Sequence, residues 1–361
     1  MGEIVIVAVD AMGGDNAPVE IIHGAIDAVN AKDNIKVILV GKEDVIKKEL
    51  LNYSFNKDQI EIVHAPDIIE TCDPPVMAIR KKKESSLVVA LNLVKDKTAD
   101  AFVSAGSSGA ILVGGQLIVG RIKGVERPPL APLIPTKDGV SLLVDCGANV
   151  DARPSHLVQF AKMGSIYMEN VMGIKNPTVA IVNIGAEEEK GNQLVKETFP
   201  LLKACSDINF IGSIEARDIP NGYADVIVCE AFVGNVILKL YEGLGATLIG
   251  KIKAGMMSSL RSKIGALLVK PALKKTLKSF DASEYGGAPL IGLNGLVIKT
   301  HGSSKAKEVC NSILQCQKFK EHKINEIIKE VISKDIIKKE VVSNEVINKE
   351  VVDKEVVDKE E

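Results

Sequence analysis

The chain has 361 residues, of which 46% are hydrophobic, and a formal net charge of −2, so it can bury a large core in about two domains and has no overall basic field to attract nucleic acid. It contains no tryptophan and only 4% aromatic residues, which leaves few rings on which bases could stack. Its six cysteines include no Cys-x-x-Cys pair and have no histidine at ligand spacing, so we expect reduced thiols and no metal site.

The start of the chain does not resemble a secretory signal. Glu3 precedes an apolar run directly, without the basic start and the cleavage region that a signal peptide has. The longest uncharged apolar stretch, residues 109–120, is too short to cross a bilayer. We therefore expect a cytoplasmic protein.

Short apolar runs alternate with segments of helical periodicity along most of the chain. The predicted strands are 4–10, 36–41, 60–65, 100–105, 131–136, 140–145, 178–184, 208–214 and 225–230. The predicted helices are 18–31, 43–51, 84–96, 108–120, 155–172 and 192–205. Strands that are apolar throughout are typical of parallel strands buried on both faces, and their alternation with helices implies right-handed βαβ crossovers. The sequence predicts an α/β fold, a Rossmann-like three-layer α/β/α sandwich with a mostly parallel sheet.

The first strand ends in a glycine-rich turn that has a carboxylate on each side, Asp10 and Asp15. Gly13 and Gly14 would let the backbone approach an anion, and Asn16 can cap the helix that follows. Ligands of open α/β sheets bind beyond the carboxyl ends of the strands, so the turn is a candidate phosphate site. A tight turn in which the glycines serve geometry alone is the alternative. The motif is not the Gly-x-Gly-x-x-Gly fingerprint of dinucleotide-binding proteins.

A second turn of small residues follows the strand at 100–105. It is predicted to form an anion cradle from Ser104, Gly106, Ser107, Ser108 and Gly109. Close packing of a helix on the sheet through small residues explains the same pattern equally well. No histidine stands beside either serine of the Ser107-Ser108 pair, so a triad nucleophile is not predicted.

Further polar residues follow later strands. Asp145 and Asn149 could orient a ligand or cap the next helix. Lys190 places a cation near a strand end, although exposed lysines usually serve only solvation. His301 stands in a Gly-Ser turn that leads towards a helix. The joint occurrence of these turns, more than any one of them, indicates a phosphate-binding enzyme.

Two segments depart from the alternating pattern. Residues 243–280 carry eight basic side chains and no acidic one, with apolar positions at helical spacing. Gly265 and Pro271 predict a bend there, and hence a protruding basic helical hairpin with an apolar tip. From Lys329 to Asp358 a five-residue unit repeats, a period that gives neither a helix nor a strand a continuous apolar face. We therefore predict a domain at 1–320 and a low-complexity tail at 321–361, disordered or a frayed helix.

The run VDAMGGDNAP at 9–18 resembles the opening of the bacterial PlsX-type phosphate acyltransferases of phospholipid synthesis. The resemblance continues to about residue 315 through SAGSSGA (104–110), DCGAN (145–149), NIGAEEEKGN (183–192), IGSIEARDI (211–219), FVGNVILKLYEG (232–243), EYGGAPLIGLNG (284–295) and HGSS (301–304). Two departures lie near the predicted pocket: the family usually has Asn-Thr in place of Ser107-Ser108, and Gly-Phe-Thr-Gly-Asn in place of residues 231–235. The tail lies outside the family pattern.

The resemblance implies that inorganic phosphate attacks the thioester of a long-chain acyl-acyl carrier protein and forms an acyl phosphate without a cofactor. A dianion attacking a thioester needs placement and oxyanion stabilisation more than a covalent nucleophile. We expect Asn235 to stabilise the oxyanion, His301 to protonate the leaving thiolate, and Lys190 or Lys239 to add charge near the glycine N–H groups. Further candidate substrate contacts from these motifs are Gly286, Gly287 and Ser303.

The resemblance also implies partners and a location. We expect a homodimer that binds acyl carrier protein, contacts the membrane peripherally, and can meet the membrane acyltransferase that forms acylglycerol phosphate. The hairpin residues predicted to contact the membrane or the carrier are Leu267, Leu268, Lys270, Leu273 and Lys274. The alternatives are a phosphotransacylase that uses acyl-coenzyme A and a non-catalytic scaffold of lipid synthesis.

Overall fold

A computed structural model describes residues 3–335, except for the side chains of residues 279 and 282. The strands of this part are β1 (Val5–Asp10), β2 (Ile35–Gly41), β3 (Ile60–His64), β4 (Ala101–Ser104), β5 (Leu133–Thr136), β6 (Gly139–Val144), β7 (Thr178–Val182), β8 (Asn209–Ile214), β9 (Val226–Val228), β10 (Ala288–Leu290) and β11 (Leu296–Lys299). The helices are α1 (Val19–Ala31), α2 (Glu43–Leu50), α3 (Pro75–Lys81), α4 (Ser86–Lys95), α5 (Ser108–Gly114), α6 (Pro154–Asn170), α7 (Gln193–Lys203), α8 (Ala231–Met256), α9 (Leu260–Ser279) and α10 (Ala306–Glu321).

The described strands form two sheets instead of one, and both are mostly parallel. The first has the order β10-β11-β4-β1-β2-β3 and the second the order β5-β6-β9-β7-β8. The antiparallel pairs of these sheets are β10–β11 and β5–β6. The predicted α/β class is confirmed, with the strands divided between two sheets that both contribute residues to the main hydrophobic core.

Helices cover both faces of the first sheet, as its continuously apolar strands predict. Successive residues of β1, such as Val7 and Ala8, belong to the core clusters on opposite faces. Helices α1 and α10 pack on one face, so closely that a Cβ on Gly24 would lie 2.4 Å from the carbonyl oxygen of Ala306. Helices α4 and α5 pack on the other. This layering leaves the carboxyl ends of β1, β4 and β11 side by side at one edge of the sheet.

The start of the predicted tail belongs to the folded domain. Residues 324–335 are helical, and Ile324, Ile328 and Ile332 are buried in the main core. Asp335 Oδ2 lies 2.8 Å from Nζ of Lys162 on α6. The expectation of a disordered or frayed segment from 321 was wrong for this stretch, because the apolar side chains at 324, 328 and 332 follow helical spacing into the first unit of the pentad repeat. The rest of the predicted tail, 336–361, lies outside the described residues.

The predicted hairpin is present, but its turn lies elsewhere. Helices α8 and α9 meet at residues 257–259, where Ser259 caps α9 by accepting a hydrogen bond from Ser262 N at 3.1 Å. Gly265 and Pro271 lie inside α9, so they do not form the tip. Of the described helices, α8 is the one long and apolar enough to cross a membrane by length and composition, and 6% of its apolar window is buried.

Candidate active site

Three turns meet at the carboxyl edge of the first sheet, at residues 10–16, 104–109 and 299–304, and we call them the three-turn cluster. Asp15 N donates to the carbonyl of Gly302 at 2.8 Å. Asn16 Nδ2 lies 2.9 Å from the carbonyl oxygen of Ser303. A Cβ on Gly14 would come within 2.7 Å of Ala105 Cβ. The structure thus places these three turns side by side.

A buried hydrogen-bond chain joins the first two turns. Ser104 Oγ donates to Asp10 Oδ2 at 2.7 Å and accepts from Gly106 N at 2.9 Å. Burial raises the pKa of Asp10, and hydrogen bonds from Ser86 and Ser104 oppose that shift. The Asp10 carboxylate is buried, and its hydrogen bond with Ser104 orients that serine and the turn at Gly106.

The glycines of the cluster are required for close packing, in addition to any role in binding a ligand. A Cβ on Gly13 would lie 2.4 Å from Asp10 Oδ2 and 2.8 Å from Gly106 N. Gly14 has a φ of +101°, a conformation that side chains other than glycine rarely adopt. Gly106 is buried. A valine at 106 would disturb the fold and the pocket together.

The second turn supports both of its interpretations. Ser107 caps α5 by accepting a hydrogen bond from Ala110 N at 3.4 Å. A Cβ on Gly109 would lie 2.5 Å from Pro75 Cγ, so this glycine permits close helix packing. Ser108 is exposed. In the described part of the chain the N–H groups of Ser108 and Gly109 have no acceptor, which leaves donors available at the helix start.

The third turn carries the predicted histidine. His301 Nδ1 lies 2.7 Å from Ser303 Oγ, and His301 N donates to Glu308 Oε1 at 3.0 Å. These contacts hold an exposed imidazole beside the cluster. Gly286 and Gly287 instead pack against neighbouring elements: their Cβ positions would meet Gln315 Oε1 at 2.8 Å and the Lys299 carbonyl oxygen at 2.6 Å.

A second group of polar residues lies at the carboxyl ends of β6 and β9 in the second sheet. Asp145 is buried and accepts hydrogen bonds from Leu130 N, Ala148 N, and both the backbone and side chain of Asn149. Burial raises the pKa of Asp145 to about 6, against the lowering effect of these donors. Asp145 and Asn149 therefore shape the turn at 145–149.

The start of α8 packs against that turn and carries Asn235. Glu230 caps the helix, accepting from Phe232 N at 2.6 Å and Val233 N at 2.9 Å. A Cβ on Gly147 would lie 3.8 Å from Asn235 Oδ1, so the predicted oxyanion donor faces the Asp145 turn. The hydrogen bonds and ion pairs of residues 3–335 do not link Asn235 to the three-turn cluster.

Both predicted lysines are exposed. Lys190, half exposed, pairs with Glu187 at 2.9 Å, and the hydrogen bond to that carboxylate raises its pKa. Lys239 is exposed on α8. The sequence did not single out Lys299, which ends β11 in register with Ser104. The sequence feature that could have indicated Lys299 is its position as the last residue of the apolar run before the HGSS turn.

Within residues 3–335 no group of three His, Cys, Asp or Glu side chains could hold a metal ion.

Comparison with known proteins identifies the family. Residues 5–327 match the family described as "Fatty acid synthesis protein". The phosphate acyltransferase of Clostridium novyi (strain NT) is 52% identical over 326 residues, which cover 90% of this chain and 98% of that protein. The phosphate acyltransferase of Alkaliphilus oremlandii (strain OhILAs) is 52% identical over 327 residues, 91% of this chain and 97% of that protein.

Solved structures share the fold at low sequence identity. A phosphotransacetylase from Streptococcus pyogenes has a TM-score of 0.57 and 18% identity, covering 89% of this chain and 95% of that one. The EutD phosphotransacetylase from Staphylococcus aureus has a TM-score of 0.56 and 18% identity, covering 87% and 94%. The family resemblance predicted from the motifs is confirmed, and the chain belongs to the fatty acid synthesis protein family as an enzyme of the phosphate acyltransferase group.

Proposed function

We propose that this enzyme transfers a long-chain acyl group from an acyl carrier protein thioester to inorganic phosphate, and so supplies acyl phosphate for phospholipid synthesis. The observation that carries the proposal is the convergence of the three turns, which places donor N–H groups, serine hydroxyls and His301 at one edge of the sheet. Such an arrangement suits a small anion, since backbone donors and the start of a helix stabilise negative charge.

The reaction needs no covalent acyl-enzyme. An oxygen of hydrogen phosphate attacks the thioester carbonyl carbon, the C–S bond breaks, and the proton of the phosphate hydroxyl ends on the released thiolate. In this proposal Asn235 donates to the developing oxyanion and His301 carries the proton towards sulfur. Because Asn235 and His301 lie in separate groups, the acyl thioester would have to bridge the two sheet edges.

Experiment must decide whether the acyl donor is a carrier protein thioester or a coenzyme A thioester. The phosphotransacetylases share the fold alone, and a coenzyme A thioester would offer the same carbonyl chemistry. An acyl carrier protein is the better match, because the basic, exposed helical hairpin could bind an acidic protein surface. We expect acyl phosphate, trapped with hydroxylamine, from the carrier thioester and not from the matching coenzyme A thioester. The reverse pattern would make the enzyme a phosphotransacylase.

We propose two further roles for the hairpin. Helix α8 exposes an apolar stripe at four-residue spacing, formed by Phe232, Val236, Leu240, Leu244 and Leu248, and such a stripe suits packing against α8 of a second copy. Helix α9 exposes Leu260, Ile264, Leu267 and Leu268 among basic residues and has no acidic residue. That combination suits peripheral docking on an anionic membrane.

The membrane role predicts a salt-sensitive association with anionic vesicles. In Leu267→Glu/Leu268→Glu we expect binding to be lost, because two charges replace the side chains that would enter the headgroup region. Leu51→Glu is a matched control, since Leu51 is 85% exposed in a loop remote from the hairpin in sequence. Co-sedimentation measures the effect. A double variant that still binds vesicles but no longer accepts acyl carrier protein would assign α9 to the carrier instead.

A further inference from the structure

Lys299 is a partly buried cation without a carboxylate partner in the described part of the chain. Its ammonium group donates to the carbonyl of Thr300, and no Asp or Glu oxygen of residues 3–335 lies within ion-pair distance. Lys162 shows the usual arrangement: its side chain is 8% exposed and lies 2.8 Å from both Asp207 and Asp335. Buried charges in proteins are normally paired in this way, so Lys299 is an exception that needs an explanation.

The two lysines also differ in how burial affects their protonation. Burial lowers the pKa of Lys162, but the bonds to its two carboxylates outweigh that effect and leave the pKa raised. Burial lowers the pKa of Lys299 to about 8, and the more distant carboxylates of Glu308 on α10 and Asp15 in the first turn only partly offset it. The charged form of Lys299 would therefore gain from a nearby anion.

Lys299 stands where such an anion could be shared with the three-turn cluster. It is the last residue of β11, opposite Ser104 on β4. Thr300 N donates to the Ser104 carbonyl, and the Thr300 hydroxyl, in a residue that is 1% exposed, has no hydrogen-bond partner in the described part of the chain. An unpaired cation and an unpaired hydroxyl thus adjoin the turn that Asp10 and Ser104 hold in place.

We propose that Lys299 is the residue that binds and holds the phosphate substrate, as the cation that Lys190 and Lys239 were expected to supply. This inference rests on the proposed function for its substrate, because the anion is taken to be inorganic phosphate. Protonated Lys299 pairs with the dianion, while the free N–H groups at the start of α5 lie in the same cluster. The site is ready for the anion before it binds, since strand pairing fixes the backbone at 299.

Calorimetric titration with inorganic phosphate alone tests the proposal without turnover. In Lys299→Met we expect the Kd for phosphate at pH 7 to rise about tenfold or more, as loss of a charge-assisted bond requires. Lys305→Met removes an exposed lysine from the same loop region and should change the Kd less than about twofold. In turnover, the KM for phosphate should rise while the KM for the acyl donor stays unchanged.

A pH series provides a second test if the methionine variant does not fold. Between pH 7 and pH 9 the wild-type Kd, referred to the concentration of the phosphate dianion, should rise about tenfold, because Lys299 loses its proton above pH 8. Lys299→Arg keeps its charge and should bind the dianion equally at both pH values. Unchanged phosphate binding in folded Lys299→Met, or the wild-type pH fall in Lys299→Arg, would overturn the proposal. Lys299-dependent binding without acyl phosphate formation would instead contradict the proposed function and leave this site standing.

Discussion

Gly234→Ala should destabilise the enzyme by about 3 kcal/mol or more, in the upper range of overpacking substitutions. A Cβ at this position would lie 1.9 Å from the carbonyl oxygen of Asp145 and 3.0 Å from Cys229 Sγ. The oxygen belongs to the backbone of a buried turn, so no side-chain rotation can relieve the contact. Either α8 moves away from the turn at 145–149, which displaces Asn235, or the turn itself opens.

Thermal and denaturant unfolding measure this loss of stability, and another glycine of α8 provides the control. Gly250 lies in the same helix with nothing within 4 Å of its Cβ position. Gly250→Ala should therefore raise stability by up to about 1 kcal/mol, through helix propensity alone. If Gly234→Ala proved as stable as Gly250→Ala, the packing of α8 on the Asp145 turn would be wrong.

A chain that ends at residue 323 should lose most of its stability or fail to fold. It lacks Ile324, Ile328 and Ile332, each buried in the main core, and full burial of one such side chain contributes about 1.5–3 kcal/mol. It also lacks Asp335, which leaves the buried ammonium of Lys162 with one carboxylate in place of two. The combined loss is comparable to the total stability of many domains.

The informative comparison is with a chain that ends at residue 335. This chain keeps the three isoleucines and Asp335 and removes only 336–361, whose repeat composition predicts little contribution to the core. We expect its melting temperature and turnover to match those of the full chain. Equal melting temperatures for the chains that end at 323 and 335 would contradict the burial of the 324–335 helix.

Much of the fold could be predicted from the sequence because its strands are continuously apolar. All nine predicted strands are present within a few residues, β1 at Val5–Asp10 among them. Strands β10 and β11 were missed since they are short and interrupted by glycine turns. The division into two sheets could not be predicted, because apolar runs show that a strand is buried but not which strand lies beside it.

The sequence could predict those candidate residues that stand in polar, glycine-rich turns after strands. Asp10, Ser104 and His301 stand in turns that the structure brings together. Lys299 was missed because a single lysine at a strand end looks like a solvated side chain until strand pairing shows it partly buried beside Ser104. The hairpin turn was misplaced for a related reason: Gly265 and Pro271 are poor helix formers, yet both are accommodated inside α9.

Release of carrier thiol measured together with acyl phosphate tests the central claim, that inorganic phosphate attacks the carrier-bound thioester directly. With acyl-acyl carrier protein and phosphate we expect one free thiol for each acyl phosphate trapped by hydroxylamine. Without phosphate we expect no thiol release, because the reaction forms no acyl-enzyme. A burst of thiol in the absence of phosphate, or acyl phosphate made from acyl-coenzyme A but not from the carrier thioester, would contradict the account.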